Sequence, residues 1–187
     1  TLAGMAAGIL ADQALFREEG LQQKPVLEIY RDDQLLDIAL IDIVVTDDAY
    51  VGSRAVWEID SIREIFLSRN TPACIGFSSL ASLLNGYPRK GETGMHIEIG
   101  QGGKKVLAPI APGMIERLSI ASYEPLRPKK KIDINTRAGR MLALDGEREI
   151  DVYDQDKLSV CLNPKGPKVV DVEKVLSIAA KTNYLTL

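Results

Sequence analysis

The segment "MLALDGEREIDV" (residues 141–152) carries two acids and a glycine in a row, Asp145, Gly146 and Glu147. Apolar and polar side chains alternate on both sides of the Asp-Gly pair, which predicts a tight β-hairpin with a type I′ turn. Carboxylates at such a tip can accept hydrogen bonds from the hydroxyl groups of a ligand. The local pattern leaves two interpretations open, a plain turn and part of a binding site.

A third acid, Asp42, interrupts the apolar run "IALIDIVV" (residues 38–45). An ionised carboxylate among such neighbours needs hydrogen-bond donors or solvent. If Asp42 belongs to a cleft, we expect solvent to reach it at the mouth of its strand. If it is fully enclosed and bonded only to backbone, it is a structural residue.

Two other features are weaker candidates. The single histidine, His96, lies in an alternating segment, where a surface or half-buried sheet residue is more common than a ligand or base, and no Ser-His-Asp set or metal-ligand spacing is found. The basic run 126–134 is typical of a solvated edge strand protected by lysines, with a phosphate site as the alternative.

Composition excludes several classes of protein. The chain has 187 residues, 45% apolar and 26% charged, with a net charge of −3, which argues against binding nucleic acid through bulk charge. Its apolar runs are far shorter than the ~20 residues that span a bilayer. Two cysteines, Cys74 and Cys161, form neither a disulfide framework nor a metal cluster. We expect a cytoplasmic protein that binds no membrane.

Helical spacing and capping residues predict three helices, at residues 2–19 with Gly20 as the C′ residue, at 53–70 after Ser53, and at 172–181 after the N-cap Asp171. The first half also has strand patterns at 26–30 and 35–46, and an apolar strand that runs into a turn or short helix at 73–84.

The second half consists of short alternating strands, and close turn signals suggest an antiparallel sandwich or barrel. The predicted strands are residues 95–100, 104–110, 114–123, 130–135, 140–145, 147–152 and 157–162. "GQGG" (100–103) is interpreted as a hairpin turn, and "APIAPG" (108–113) must leave regular pairing and could line a cleft. The prediction is a β-rich α+β fold in a single domain, residues 1–187.

Five segments resemble, in order, the C-terminal domain of the NAD kinase and diacylglycerol kinase superfamily. More closely, they resemble the ATP-NAD-kinase-like proteins of acetoin operons, the acetoin catabolism protein X family. The segments are "TLAGMAAGILA", "ALIDIVVTDDAYVGSRAVW", "IGFSSL", "VLAPIAPGMIERL" and "LALDGE".

The resemblance implies a two-domain protein whose C-terminal half is an antiparallel β-sandwich with a few flanking helices. The N-terminal half of such proteins carries a Gly-Gly-Asp-Gly loop and the catalytic aspartate, and this sequence has no such loop. We therefore expect the C-terminal part of a longer chain, with a trimmed N-terminus before Thr1 as the alternative. Catalytic residues are expected in the other half.

The resemblance also implies a nucleotide or small-molecule ligand, with ATP or NAD(H) and Mg²⁺ as its cofactors, and a homo-oligomer. No residue is assigned to the metal. The implied binding residues are Asp42, Ser78, Ser79, Asp145 and Glu147.

Two departures from the superfamily pattern keep the function open. Ile41-Asp42 stands where NAD kinases have Asn-Glu, and "IGFSSLASL" lacks the Thr-Gly-Ser-Thr-Ala-Tyr element. The first hypothesis is the nucleotide-cleft and oligomerisation half of an NAD-kinase-like phosphotransferase, inactive alone. The second is a non-catalytic nucleotide- or metabolite-binding regulator, and the third is a structural assembly domain.

Overall fold

The computed structural model describes residues 1–13, 16–47, 59–70, 75–85, 94–136 and 139–186. Within them lie four α-helices: α1 (Leu2–Asp12), α2 (Arg17–Gly20), α3 (Leu80–Asn85) and α4 (Val172–Lys181). The strands are β1 (Leu21–Gln23), β2 (Val26–Arg31), β3 (Gln34–Ala39), β4 (Asp42–Thr46), β5 (Ile62–Leu67), β6 (Gly94–Ala111), β7 (Met114–Leu126), β8 (Lys131–Asp133), β9 (Met141–Leu144), β10 (Arg148–Asp151), β11 (Leu158–Asn163) and β12 (Lys168–Val170).

Two antiparallel sheets make up most of the fold. The larger has six strands in the order β10-β9-β4-β5-β6-β7, and the smaller has four in the order β3-β2-β11-β8. They pack face to face over a core that includes Ile29 and Val160 from the smaller sheet and Ile43 and Phe66 from the larger. The prediction of a β-rich α+β fold with an antiparallel sandwich and few helices is confirmed.

The second face of the six-stranded sheet is also covered. Val44 and Ile65 alternate with the residues that face the other sheet, and they pack against Phe77 in a 3₁₀ turn and Leu80 at the start of α3. The central strands are therefore apolar on both faces, as their nearly continuous burial indicates.

Contacts divide the chain into two compact units, Pro25–Asn163, which holds the sandwich, and Thr1–Lys24 with Pro164–Leu187. In the second unit α1 and α4 pack through Ala6, Ile9 and Val175, and β1 pairs with β12. A compact unit is not by itself an independently folding domain, so the single-domain interpretation stays a prediction.

The N-terminal helix is shorter than the sequence indicates. It ends at Asp12, because Gln13 leaves the helical conformation with φ −104° and ψ 89°. Gly20 is the last residue of α2 and not the C′ residue of one long helix. The C-terminal helix agrees with the prediction, including the Asp171 side chain that accepts a hydrogen bond from the Lys174 N–H.

The predicted helix at 53–70 is wrong where it is described. Residues 59–61 form a 3₁₀ turn and Ile62–Leu67 is β5, while 53–58 lie outside the described residues. Ile65 faces one core and Phe66 the other. A strand buried on both faces lacks strict alternation, and its apolar residues then also fit helical spacing.

The strand predicted at 35–46 is two strands in different sheets, β3 and β4, with Leu40 and Ile41 between them. In the segment 73–84 the short helix is confirmed as α3, but residues 75–79 form a bend and a 3₁₀ turn where a strand was expected. Residues 73 and 74 lie outside the described part.

The prediction of a hairpin turn at "GQGG" is also wrong, because residues 94–111 form one long strand. Both Ile99 and Lys104 pair with Ile120, so the four residues between them bulge out of the ladder. A Cβ at Gly103 would lie 1.7 Å from the Ile120 carbonyl oxygen, which accounts for glycine at this close approach. The true hairpin turn comes later, at Pro112 and Gly113.

Candidate functional site

The hairpin tip at Asp145 has the predicted turn geometry. Asp145 and Gly146 have φ of 54° and 70°, and the Glu147 N–H donates to the Leu144 carbonyl over 3.0 Å. Positive φ at both central positions defines the type I′ turn. The strands on either side are β9 and β10, as the alternation of the sequence indicates.

The Asp145 carboxylate turns back onto the chain and does not point into solvent. Its Oδ2 accepts the Leu40 N–H at 2.9 Å, and its Oδ1 accepts the N–H groups of Ile41 at 2.7 Å and Asp42 at 3.3 Å. The Asp145 N–H donates to the Asp42 carbonyl at 3.0 Å. Asp145 therefore fixes the backbone where the chain passes from β3 to β4.

Arg148 extends this network to the edge of the smaller sheet. One guanidinium nitrogen donates to the Asp37 carboxylate, and the other to the Ile38 carbonyl, each over 2.6 Å. The second nitrogen also lies 3.5 Å from Asp145 Oδ2. The position of Asp42 is thus held by a connected set of polar groups.

Asp42 itself lines a cavity of about 160 Å³ on the α3 side of the six-stranded sheet. The walls are mostly apolar, with Val44 and Ala143 from the sheet, Phe77 from the 3₁₀ turn and Ile110 from β6. Asp42 is partly exposed, so solvent reaches it. This is the placement expected of a cleft residue and not of an enclosed structural one.

The environment of Asp42 shifts its titration. Burial disfavours the charged form and, together with the negative charge of Asp145, raises the pKa of Asp42 from 3.8 to about 6. No described residue donates a hydrogen bond to the Asp42 carboxylate. A carboxyl group that lies in an apolar cavity and has a pKa near neutral can accept hydrogen bonds from a ligand or exchange a proton with it.

Of the other four residues implied by the resemblance, Asp145 lines this cavity and Ser78, Ser79 and Glu147 do not. Ser78 and Ser79 follow Phe77, but both are buried, and the Ser79 hydroxyl donates to the Gly76 carbonyl over 2.8 Å. Glu147 is exposed at the hairpin tip and does not line the cavity. The structure brings Asp42 and Asp145 together. The binding role of all five residues stays a prediction.

The cleft prediction for "APIAPG" has a structural counterpart in Ile110, which forms part of the cavity wall. Pairing continues through Pro109, opposite Ile115, and becomes irregular between Pro109 and Ala111. The Gly76 N–H donates to the Pro109 carbonyl over 2.7 Å, which ties the 3₁₀ turn carrying Phe77 to this strand.

Sequence reasoning missed a buried acid–histidine pair on the opposite face of the sheet. His96 Nε2 lies 3.0 Å from Glu64 Oε2, and both residues are buried. The His96 ring stacks on Phe66 with a centroid distance of 4.3 Å. The helix predicted at 53–70 gives no reason to place Glu64 beside His96, whereas a strand there puts both residues in one sheet.

Two further observations concern the described residues. Across the described ranges, histidine, cysteine and acidic residues nowhere gather in threes that could hold a metal ion. None of the helices in the described part is long and apolar enough to cross a membrane.

Comparisons with known proteins identify the family. Residues 25–165 match the family described as the acetoin catabolism protein X C-terminal domain. Over 192 aligned residues, 99% of the chain, it is 32% identical to acetoin catabolism protein X of Cupriavidus necator. The aligned part is 53% of that protein, so the chain spans about half the length of this relative. With matches over this much of its length, the chain belongs to the acetoin catabolism protein X family.

Proposed function

We propose that the chain supplies part of the nucleotide cleft of an ATP-NAD-kinase-like phosphotransferase linked to acetoin catabolism. The link to acetoin comes from the name of the relative in Cupriavidus necator. The observation that carries the nucleotide part is the Asp42 carboxylate, which opens on an apolar cavity with no donor from any described residue.

A ribose fits the chemistry of this cavity. Its two adjacent hydroxyl groups can both donate to one carboxylate, which satisfies Asp42 in a way that the described residues do not. Phe77 and Ile110 provide the apolar contact that a sugar ring or base face needs. Since ligand pockets usually measure ~300–1,000 Å³, a cavity of about 160 Å³ suits one portion of a nucleotide.

Asp145 has a positioning role in this proposal. Its carboxylate accepts hydrogen bonds from the backbone N–H groups of residues 40–42. It therefore fixes the backbone position of Asp42 and the direction in which its side chain leaves the strand. Ser78, Ser79 and Glu147 stay proposed contacts at the edge of the cleft. Phosphoryl transfer depends mainly on positioning and charge neutralisation, so a cleft completed by a second half, which carries the catalytic aspartate, is physically reasonable.

The test uses the complete gene product that contains this chain. Calorimetric titration with ATP and with NAD measures binding, and NADP formation from ATP, NAD and Mg²⁺ measures turnover. Binding with turnover supports the phosphotransferase. Binding without turnover supports the alternative, a nucleotide- or metabolite-binding regulator of the same fold, and absence of binding overturns the nucleotide proposal.

Asp42→Asn links the result to this cavity. Because the carboxylate accepts the ribose hydrogen bonds, its loss is expected to weaken nucleotide binding by about tenfold or more. Wild-type affinity should also rise as the pH increases through about 6, since Asp42 then becomes ionised. The matched control is Glu124→Gln, which neutralises an exposed acid on β7. Equal nucleotide affinities of the two variants would show that Asp42 does not contact the nucleotide.

A further inference from the structure

A second cavity lies at one end of the four-stranded sheet. It measures about 350 Å³, and its lining comes from the β2–β3 turn, from β8 and from the start of β11. We refer to it as the sheet-end cavity. Its residues differ from those of the Asp42 cavity, and the inference about it does not rest on the nucleotide proposal.

The lining of the sheet-end cavity carries an excess of negative charge. Four aspartates and two lysines line it. Asp33 is paired with Lys131 over 2.8 Å, and Asp156 with Arg31 over 3.2 Å. No described residue pairs with the carboxylates of the other two aspartates, Asp32 and Asp133. The charge balance favours a cation over an anion.

The lysines do not reverse this preference. Lys131 is engaged by Asp33, and its ammonium lies 3.8 Å from the centre of the Tyr30 ring. Only Lys157 is left to oppose the two free carboxylates. A metal ion is disfavoured as well, because the described residues offer no cluster of three suitable ligands.

One polar side chain that lines this cavity has no partner among the described residues. Ser159 is only 7% exposed, and no described residue bonds its hydroxyl. Ser159 pairs directly with Asp133 across β11 and β8, so the two side chains lie on the same face of the sheet. The Ser159 hydroxyl is not among the fully enclosed side-chain atoms that lack a partner, so it opens on the cavity, where a ligand group can bond it.

We propose that the sheet-end cavity binds a small organic cation, a primary amine that carries a hydroxyl group on the adjacent carbon. The ammonium contacts the carboxylates of Asp133 and Asp32, and the hydroxyl bonds to Ser159. Directly opposed antiparallel residues have Cβ atoms ~4.5–5.5 Å apart, which matches the short separation of the two groups in an amino alcohol.

The probe is 2-aminoethanol, titrated into the ¹⁵N-labelled full chain and followed by amide chemical shifts. Three relatives of the probe separate its parts: ethylamine lacks the hydroxyl, 1,2-ethanediol lacks the charge, and glycolate reverses the charge. We expect saturable chemical-shift changes near Ser159 and Asp133, with the highest affinity for 2-aminoethanol. Equal affinity for all four compounds would overturn the proposed contacts, and the absence of a saturable shift would show that the cavity binds none of them.

Variants test the two contacts separately. Asp133→Asn and Ser159→Ala are each expected to weaken 2-aminoethanol binding, by about tenfold for the charged contact and less for the hydroxyl. Asp133 lies exposed on an edge strand, so its variant is expected to fold. Glu149→Gln, which neutralises an exposed acid on β10, is the matched control. Unchanged affinity in Asp133→Asn would overturn the proposal.

Discussion

Two carboxylates on neighbouring strands of the six-stranded sheet occupy contrasting environments. Glu64 in β5 lies on the face that packs against the smaller sheet, and Asp42 in β4 lies on the α3 face. Glu64 receives two partners, His96 Nε2 at 3.0 Å and the Asn135 N–H at 3.2 Å. Asp42 receives no partner from the described residues.

The difference separates a structural acid from one that is available to a ligand. Burial with donors ties Glu64 to the fold, because its lone pairs are already used. Burial without donors disfavours the charge of Asp42 and raises its pKa to about 6. The second arrangement costs stability, and such a cost is typical of functional sites.

Removing the satisfied acid is expected to have the largest effect on stability. Glu64→Ala leaves His96 and the Asn135 N–H without their acceptor inside the protein. We expect the free energy of unfolding to fall by about 2–4 kcal/mol, as when one member of a buried polar pair is lost. Urea unfolding followed by circular dichroism measures the change.

The control for Glu64→Ala is Glu98→Ala. Glu98 pairs with Glu64 across β5 and β6 but is exposed, and its carboxylate accepts only the Ser122 hydroxyl among described groups. Its removal is expected to change stability by less than about 0.5 kcal/mol. Similar losses in the two variants would mean that the buried pair adds nothing.

The second expected effect concerns Asp145, which is satisfied like Glu64 but lies next to Asp42. Asp145→Ala removes the acceptor of three N–H groups at residues 40–42. We expect a loss of about 1–3 kcal/mol in the free energy of unfolding, measured by urea. Glu147→Ala, two residues away and exposed, is the comparison and should be nearly neutral. If Asp145→Ala leaves the free energy of unfolding unchanged, the three hydrogen bonds to its carboxylate do not stabilise the fold.

The fold was predictable where local signals are strong. The hairpin at Asp145-Gly146 and the helix capped by Asp171 follow from residues close in sequence, and both are present. The strand β5 was not predictable in this way, because cores on both faces remove the alternation that marks a strand. The bulge at Gly103 depends on the distant carbonyl of Ile120, which no local pattern reveals.

The candidate site was predictable only in part, for a similar reason. Asp42 was found because a charge inside an apolar run is a local conflict. Its relation to Asp145 depends on hydrogen bonds between residues more than 100 positions apart, which the sequence does not display. The pairing of Glu64 with His96 depends on strand register in the same way. Local chemistry marks single residues, and the sheet decides which of them meet.

The smallest effect on stability is expected from the unsatisfied acid, and its sign is opposite. Asp42 has a pKa of about 6 in the folded chain and ~3.9 when unfolded, so the folded state holds its proton more tightly. Stability of the wild type therefore falls as the pH rises from about 4 to about 6 and bears a constant penalty above that range. Asp42→Asn lacks this titration.

The Asp42→Asn variant should therefore gain stability relative to wild type as the pH rises through this window. Because solvent reaches the side chain, we expect a gain of about 1–2 kcal/mol at pH 7 over that at pH 4. Urea unfolding of both proteins at several pH values measures it, with Glu124→Gln as an exposed control that should show no such trend. A variant whose stability relative to wild type does not change with pH would mean that Asp42 is solvated like an ordinary surface acid. The contrast with Glu64 would then reflect geometry without an energetic consequence.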